Sequence, residues 1–360
     1  MKKLLKKDRL QRQALGREID RIPSIGGWML SVRNLAAMAG ITEEEYLKDP
    51  GQGCIKANLA LEVDGIVSSW LFPDKPDIVR TGVLLEEHHA HQTAEDLLAD
   101  AEKLPDNPKE LLKDFNAEAV RKEFRDRFIT QRDIFGGIEP VPNFWEFSGG
   151  FSLYFAYGYV AFLEACALYP EAVSRIWQSN CVRTRERAAV LASLYKELDL
   201  VPVLFCGDDM CDNHGPMVSP EMLRRYYFPY VKPMLEPLVE AGVRLIYHCD
   251  GDVKPLLQDY LDMGHSGFQG FQYECDIDVA DLHKMKPTLG DVPLLFGGLS
   301  VSRTLPFGTE DDVRREVEYL FNSTNGGRGL FLFTSNVTGV EVPYQNIAAG
   351  YRHIKTLTPA

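Results

Sequence analysis

Five consecutive strand–helix units in the second half of the chain predict an α/β fold of the (β/α)8 TIM-barrel class. The strands VPVLFCGDD (201–209), VRLIYHCDG (243–251), FQGFQYE (268–274), VPLLFGGLS (292–300) and GLFLFTSN (329–336) are apolar along their length, as parallel strands covered on both faces are. A helical segment follows each of them. Three further strand candidates upstream, at 22–30, 61–72 and 140–147, bring the count to eight, which favours a closed barrel over a doubly wound sheet.

Taken in order, residues 3–18 read as an amphipathic helix before the first strand, and 43–50 as an acidic helix. The second strand, 61–72, is closed by Pro73 and Asp74. From 74 to 140 the chain is charged, with helix signals at 93–104 and 109–127 and no β-branched run. This is expected to be a helical insertion in a single domain spanning 1–360. Glu86, Glu87, His88, His89 and His91 precede a helix start capped by Thr93, and they read as a solvated loop rather than a metal site. Helices are predicted at 151–167 and 170–198, the second with a basic outer face. In 219–242, Ser219 stands at the cap, Pro220 at the first helical position and Gly242 past the end. Pro229, Pro233 and Pro237 predict that this helix is kinked or broken. The remaining helices are 252–263, 278–286, 309–323 behind Thr309, and 343–356 from Pro343.

A chain of 360 residues, 45% hydrophobic and 25% charged, can bury a large core. The net charge of −13 argues against a nucleic-acid groove and makes a highly anionic substrate a poor electrostatic match. Seven cysteines without a CxxC pair argue against a disulfide framework and predict a reducing, cytoplasmic setting. No stretch is long and apolar enough to span a bilayer, and the basic N-terminus lacks the apolar core of a secretory signal.

In a barrel, chemistry collects where strands end and the following loops begin. Those tips carry Asp64, Asp208 and Asp209, His248 and Asp250, Glu274 with Asp276, Gly297 and Gly298, and Asn336. Side chains alternate along a strand, so His248 and Asp250 point one way and Cys249 the other. Any one of these residues has an ordinary explanation: a cap, a satisfied loop amide, close packing for the glycines. Several acids and an imidazole at neighbouring strand ends are costly unless paired, metal-bound or used, and together they predict a functional site. His214 in DNHGP is a lesser candidate. His265, His283 and His353 are expected at the surface, and Cys206, Cys249 and Cys275 in core packing.

The stretches GDDMCDNHGPMVSPEMLRRYYFPYVKPML, YHCDG, LFGGLSVSRTLPFGTEDDV and VPYQNI resemble the uroporphyrinogen decarboxylase superfamily. The likeness is nearest to its methyltransferase branch, whose members move methyl groups to and from corrinoid cofactors. The resemblance implies the same barrel. It also implies two departures. The decarboxylases carry an arginine-rich N-terminal loop, whereas GGWMLSVRNLAAMAG has only Arg33. Thiol-methylating members hold zinc with a His-x-Cys pair and a later Cys, and those positions correspond here to His248, Asp250 and Asn336. Oxygen ligands make a harder, more Lewis-acidic site than thiolates do.

The activity that the resemblance implies is that of a methyltransferase taking a methyl group from an oxygen-linked donor, such as an aryl methyl ether. The acceptor would be the cobalt of cob(I)alamin, giving methylcobalamin, carried by a partner corrinoid protein, since the chain has no DxHxxG cobalamin pattern. His248, Asp250 and Glu274 are the expected zinc ligands or acid/base groups, with Asp209 beside them in catalysis. Asp64, Asp208, His214, Gly297, Gly298 and Asn336 are the expected substrate contacts, and Trp28, Trp70, Phe151 and Tyr154 candidate pocket walls. The alternative is a decarboxylase of a small or porphyrinogen-like carboxylic acid. A homodimer is compatible with either.

Overall fold

The computed structural model describes residues 2–67, 72–77 and 92–359. At its centre are eight parallel strands: β1 (Ile25–Gly26), β2 (Gly65–Ile66), β3 (Glu139–Pro140), β4 (Val203–Gly207), β5 (Arg244–His248), β6 (His265–Gln269), β7 (Leu294–Leu299) and β8 (Leu330–Thr334). They form two parallel runs, β1–β2–β3 and β4–β5–β6–β7–β8. Bridges Ser24↔Leu332 and Met29↔Thr338 join the β1 end to β8, and Asn143↔Phe205 joins the β3 end to β4. The ring is thereby closed into the expected barrel.

Strand alternation sorts the two cores. Val203 and Phe205, Ile246, Leu294 and Phe296, and Phe331 and Phe333 point inward and pack with Ile25, Val67 and Val141. Their neighbours Leu204, Leu245, Tyr247, Leu295 and Leu332 point outward into the helices, as does Cys249. His248 shares the inward parity of Ile246, so the pleat itself delivers the imidazole to the barrel interior.

The first three strands are shorter than predicted. Leu61 ends the helix Pro50–Ala60, so the second strand begins after it, and Trp145–Ser148 is a 3-10 turn beyond β3. The apolar pattern does not indicate the helices Val32–Ala39 and Pro50–Ala60, yet both carry side-chain caps. Ser31 accepts from the Asn34 amide, and Asp49 accepts from the Gln52 amide ahead of Pro50. The sixth strand lies about three residues earlier than expected. That makes His265 a buried strand residue, its Nδ1 3.1 Å from the Tyr260 carbonyl. His283 is buried too, against the Arg328 carbonyl. Their surface assignment is therefore corrected.

Helix starts follow their signals. Thr93 and Thr309 each close a reciprocal capping box, and Ser219 accepts from the Met222 amide. The cluster Glu86–His91 and Trp70 lie outside the described residues. The proline-rich helix is broken at Tyr227 into Pro220–Tyr226 and Phe228–Glu240. Pro229, Pro233 and Pro237 recur every fourth residue on the outer stripe, where water can serve the carbonyls that lose an N–H partner.

Helix Lys6–Ala14 closes the end of the barrel where the strands begin, with Leu10 and Ala14 in the inner core. Its Arg9 bridges Asp20 and Asp64 at 2.6 Å each, and Arg21 holds the other Asp64 oxygen at 2.8 Å. Asp64 precedes β2 and lies at this closed end. It is a structural anion and not a mouth residue, which corrects its assignment as a substrate contact.

Candidate active site

His248 is held between aromatic rings, 5.1 Å from the Trp28 centroid and 5.5 Å from that of Trp145. Its Nδ1 meets the side-chain oxygen of Gln269. The amide end of Gln269 donates to the Thr334 and Ser335 carbonyls at 3.1 and 2.9 Å, which sets the oxygen toward the imidazole. Nδ1 therefore carries the proton, and Nε2 is presented to the cavity.

Two carboxylates face Nε2: Asp209 Oδ1 at 3.6 Å and Asp250 Oδ1 at 3.8 Å. Asp209 sits two residues past β4, and Oδ1 accepts from the Asp250 amide at 3.0 Å. The other oxygen of Asp250 accepts from Asn336 Nδ2 at 2.6 Å. Asp250 Oδ1 is buried and has no hydrogen-bond partner among the described residues. Burial raises the Asp250 pKa, and the nearby Asp209 adds to that while His248 opposes it. The three side chains offer ligand atoms within 4.8 Å of one another.

Asp208 turns the other way. It accepts from the Phe151 amide at 2.9 Å and from the Ser152 hydroxyl. Burial pushes its pKa up to about 6 despite those hydrogen bonds. It holds the loop after β3 against the loop after β4.

Above these groups opens a cavity of about 760 Å³, walled by Trp28, Trp145, Tyr154 and Phe155, a size that encloses a small organic molecule. Tyr154 also anchors the floor through its hydroxyl, which donates to the Asp209 carbonyl at 3.1 Å.

Of the residues expected at the site, His248, Asp250, Asp209, Asp208, Asn336, Trp28 and Tyr154 line this cavity. Glu274 does not join them. It accepts from Ser302 Oγ at 2.5 Å and faces Arg303 at 3.3 Å, so its assignment as a ligand or acid/base group is corrected. His214 is 93% exposed, in the turn of the hairpin Cys211–Asp212 and Gly215–Pro216. Gly297 and Gly298 serve packing. A Cβ would meet the Phe271 ring at 3.3 Å in the first case and Leu320 at 2.3 Å in the second. Phe151 stacks on Trp177 in the outer core.

Strand tips and motifs do not single out Gln269 and Trp145, nor Asn180, Arg183 and Thr184 of helix Pro170–Glu197, yet all of these belong to the site. For Gln269 the sequence offers no distinct signal, because His265 and Ser266 share its strand and Gln272 and Glu274 follow it. The helix residues have none, because they reach the mouth only through tertiary packing.

Glu274 lies beside a second acid, Glu316, which accepts from Thr304 Oγ1 at 3.0 Å and from the Ser300 amide at 3.3 Å. Burial pushes Glu316 up to about 7. The folded state then binds a proton that the unfolded chain releases from about pH 4.5 upward. Stability is full below that pH and falls as pH rises toward 7. Glu316→Gln should remove this slope and raise unfolding free energy at pH 8 by on the order of 1–3 kcal/mol, as read by urea denaturation at pH 5 and pH 8. Equal slopes in both proteins would refute the assignment.

Residues 207–357 match the family model "Uroporphyrinogen decarboxylase (URO-D)". Residues 207–357 are thus similar to that family. The match covers the strand ends with Asp208, Asp209, His248, Asp250 and Asn336. A solved structure described as a methyltransferase from Methanosarcina mazei is similar over 98% of this chain and 99% of its own, with a TM-score of 0.59 and 15% identity. That likeness shows a shared fold over the whole chain, the N-terminal half included. No curated protein matches the chain in sequence. No helix among the described residues is long and apolar enough to cross a membrane.

Proposed function

We propose that this URO-D-type enzyme is a methyltransferase that removes the methyl group from an oxygen-linked donor, an aryl methyl ether being the best fit, and delivers it to cobalt(I) of a corrinoid on a partner protein. The observation that carries the reading is the Asp209–His248–Asp250 cluster beneath an aromatic-walled cavity. The reading is also supported by the fold likeness to a methyltransferase.

In the transfer, the cobalt(I) electron pair forms the new bond to the methyl carbon as the carbon–oxygen bond breaks, and that bonding pair stays on the departing oxygen. The enzyme's task is to make this oxygen a tolerable leaving group. Gln269 holds the Nδ1 proton, so a second proton on His248 sits on Nε2, aimed into the cavity. Asp209 and Asp250 face that nitrogen at 3.6 and 3.8 Å and orient the proton until it passes to the oxygen. Trp28 and Trp145 hold a flat ring beside the imidazole and exclude water from it.

The same residues suit a divalent cation. One imidazole nitrogen and two carboxylate oxygens are an ordinary zinc donor set, and the orphaned Asp250 Oδ1 is the kind of atom such an ion satisfies. Zinc held by Asp209, His248 and Asp250 would take the place of the proton on Nε2 and supply Lewis acidity toward the departing oxygen instead.

The test is a panel of methoxylated aromatics incubated with the enzyme and cob(I)alamin, following the cobalt spectrum. Methyl–cobalt should form with at least one donor. If none does, and carbon dioxide is instead released from a candidate acid, the decarboxylase alternative replaces this reading. Metal content after purification without added zinc decides the cation. About one equivalent, lost in His248→Ala, is expected, and less than about a tenth of an equivalent would leave proton transfer alone.

A further inference from the structure

The cavity has a second polar wall opposite in character to its acidic floor. Asn180, Arg183 and Thr184 lie at positions i, i+3 and i+4 of helix Pro170–Glu197 and share one face, and all three line the cavity. Arg183 is the sole Lys or Arg among the described lining residues. The other arginines on the same helix are paired. Arg175 binds Asp106 and the Leu104 carbonyl, Arg185 faces Glu186 and Glu236, and Arg187 is clamped by Glu123 and Glu146. Arg183 alone among them has no hydrogen bond or ion pair to any described residue. Glu146 also lines the cavity but is held by Arg187 at 2.6 Å, so it is not the partner that Arg183 lacks.

From this arrangement we infer that the methyl donor carries a carboxylate, bound by Arg183 with Asn180 and Thr184 beside it, and that this contact sets both donor choice and donor orientation. The chemistry follows from the charges. Three aspartates at the floor, in a protein of net charge −13, disfavour an anion near His248. A guanidinium on the wall accepts one in bidentate fashion and turns the uncharged, methyl-bearing end of the ring toward the imidazole. The donor class is thus a methoxyarene carboxylate. A neutral methoxyarene would fit the aromatic walls equally well but lack the anchor.

The inference rests on the aryl-ether reading, and two assays keep their failures apart. The first compares methyl transfer to cob(I)alamin from methoxybenzoates and the matched methoxybenzamides, which are close in shape and differ in charge. Wild type should favour the acid. In Arg183→Gln the acid-over-amide ratio of kcat/KM should fall roughly 10- to 100-fold, mostly through KM, and Arg183→Lys should recover part of it. The second assay needs no turnover: calorimetric binding of hydroxybenzoate against hydroxybenzamide in the same three proteins. Arg183-dependent preference for the acid in binding, with no methyl transfer from any donor, keeps the carboxylate anchor and discards the transferase. Equal loss of acid and amide in Arg183→Gln would mean a structural role. That outcome, or a wild-type enzyme without preference in either assay, overturns the inference.

Discussion

His248→Ala is expected to lower methyl transfer by roughly 10²–10⁴-fold, the range of a lost general acid, with more if a metal leaves with it. The variant should still fold. His248 closes a strand whose other inward neighbours remain packed, and the loss is one imidazole and the partner of Gln269, worth about 1–3 kcal/mol. Asp250→Asn is the sharper companion. Its Oδ1 is buried with no hydrogen-bond partner among the described residues, while its other oxygen keeps Asn336. An amide there removes a buried charge and can still accept from Asn336. The variant should be at least as stable as wild type and yet inactive. Unfolding curves and transfer rates measured side by side give the answer. A stable variant with the wild-type rate would remove Asp250 from the site.

Asp64→Ala should do the reverse. Arg9 is only 1% exposed and Asp64 is fully buried, and both guanidiniums that meet there lose their shared anion. Breaking a buried pair by deleting one partner costs about 3–5 kcal/mol, so the urea midpoint should drop steeply. Whatever fraction stays folded should transfer methyl groups at the normal rate, because Asp64 sits at the closed end of the barrel. Lost turnover without lost stability would restore Asp64 to the functional residues.

The contrast between these two aspartates shows where the strand-tip rule succeeds. Asp208, Asp209, His248 and Asp250 follow long apolar strands whose ends are plain in the sequence. Asp64 lies in a stretch where a helix runs up to residue 60 and only two residues are strand, so the rule places it at the wrong end. Glu274 departs from the rule for a related reason. β6 ends at Gln269, and the chain then passes through a 3-10 turn that carries the carboxylate to Arg303 and the serines of the next loop. Gln269, the true end of that strand, supports His248 instead.

Strand periodicity and helix caps are sufficient for the barrel class, for the five C-terminal units and for the inward direction of His248 and Asp250, since all of these depend on neighbours within a few residues. Whether an acid reaches the cavity, an arginine or another carboxylate depends on elements far apart in the chain. Asp209 meets Asp250 across 41 positions and Asp250 meets Asn336 across 86. Arg183 looks like its paired neighbours on a basic helix until packing turns one face of that helix toward the cavity mouth. Local sequence carries the backbone pattern because the hydrogen bonds and steric limits behind it are local. The charge environment of each side chain is set by close packing between distant segments, and only the tertiary structure decides it.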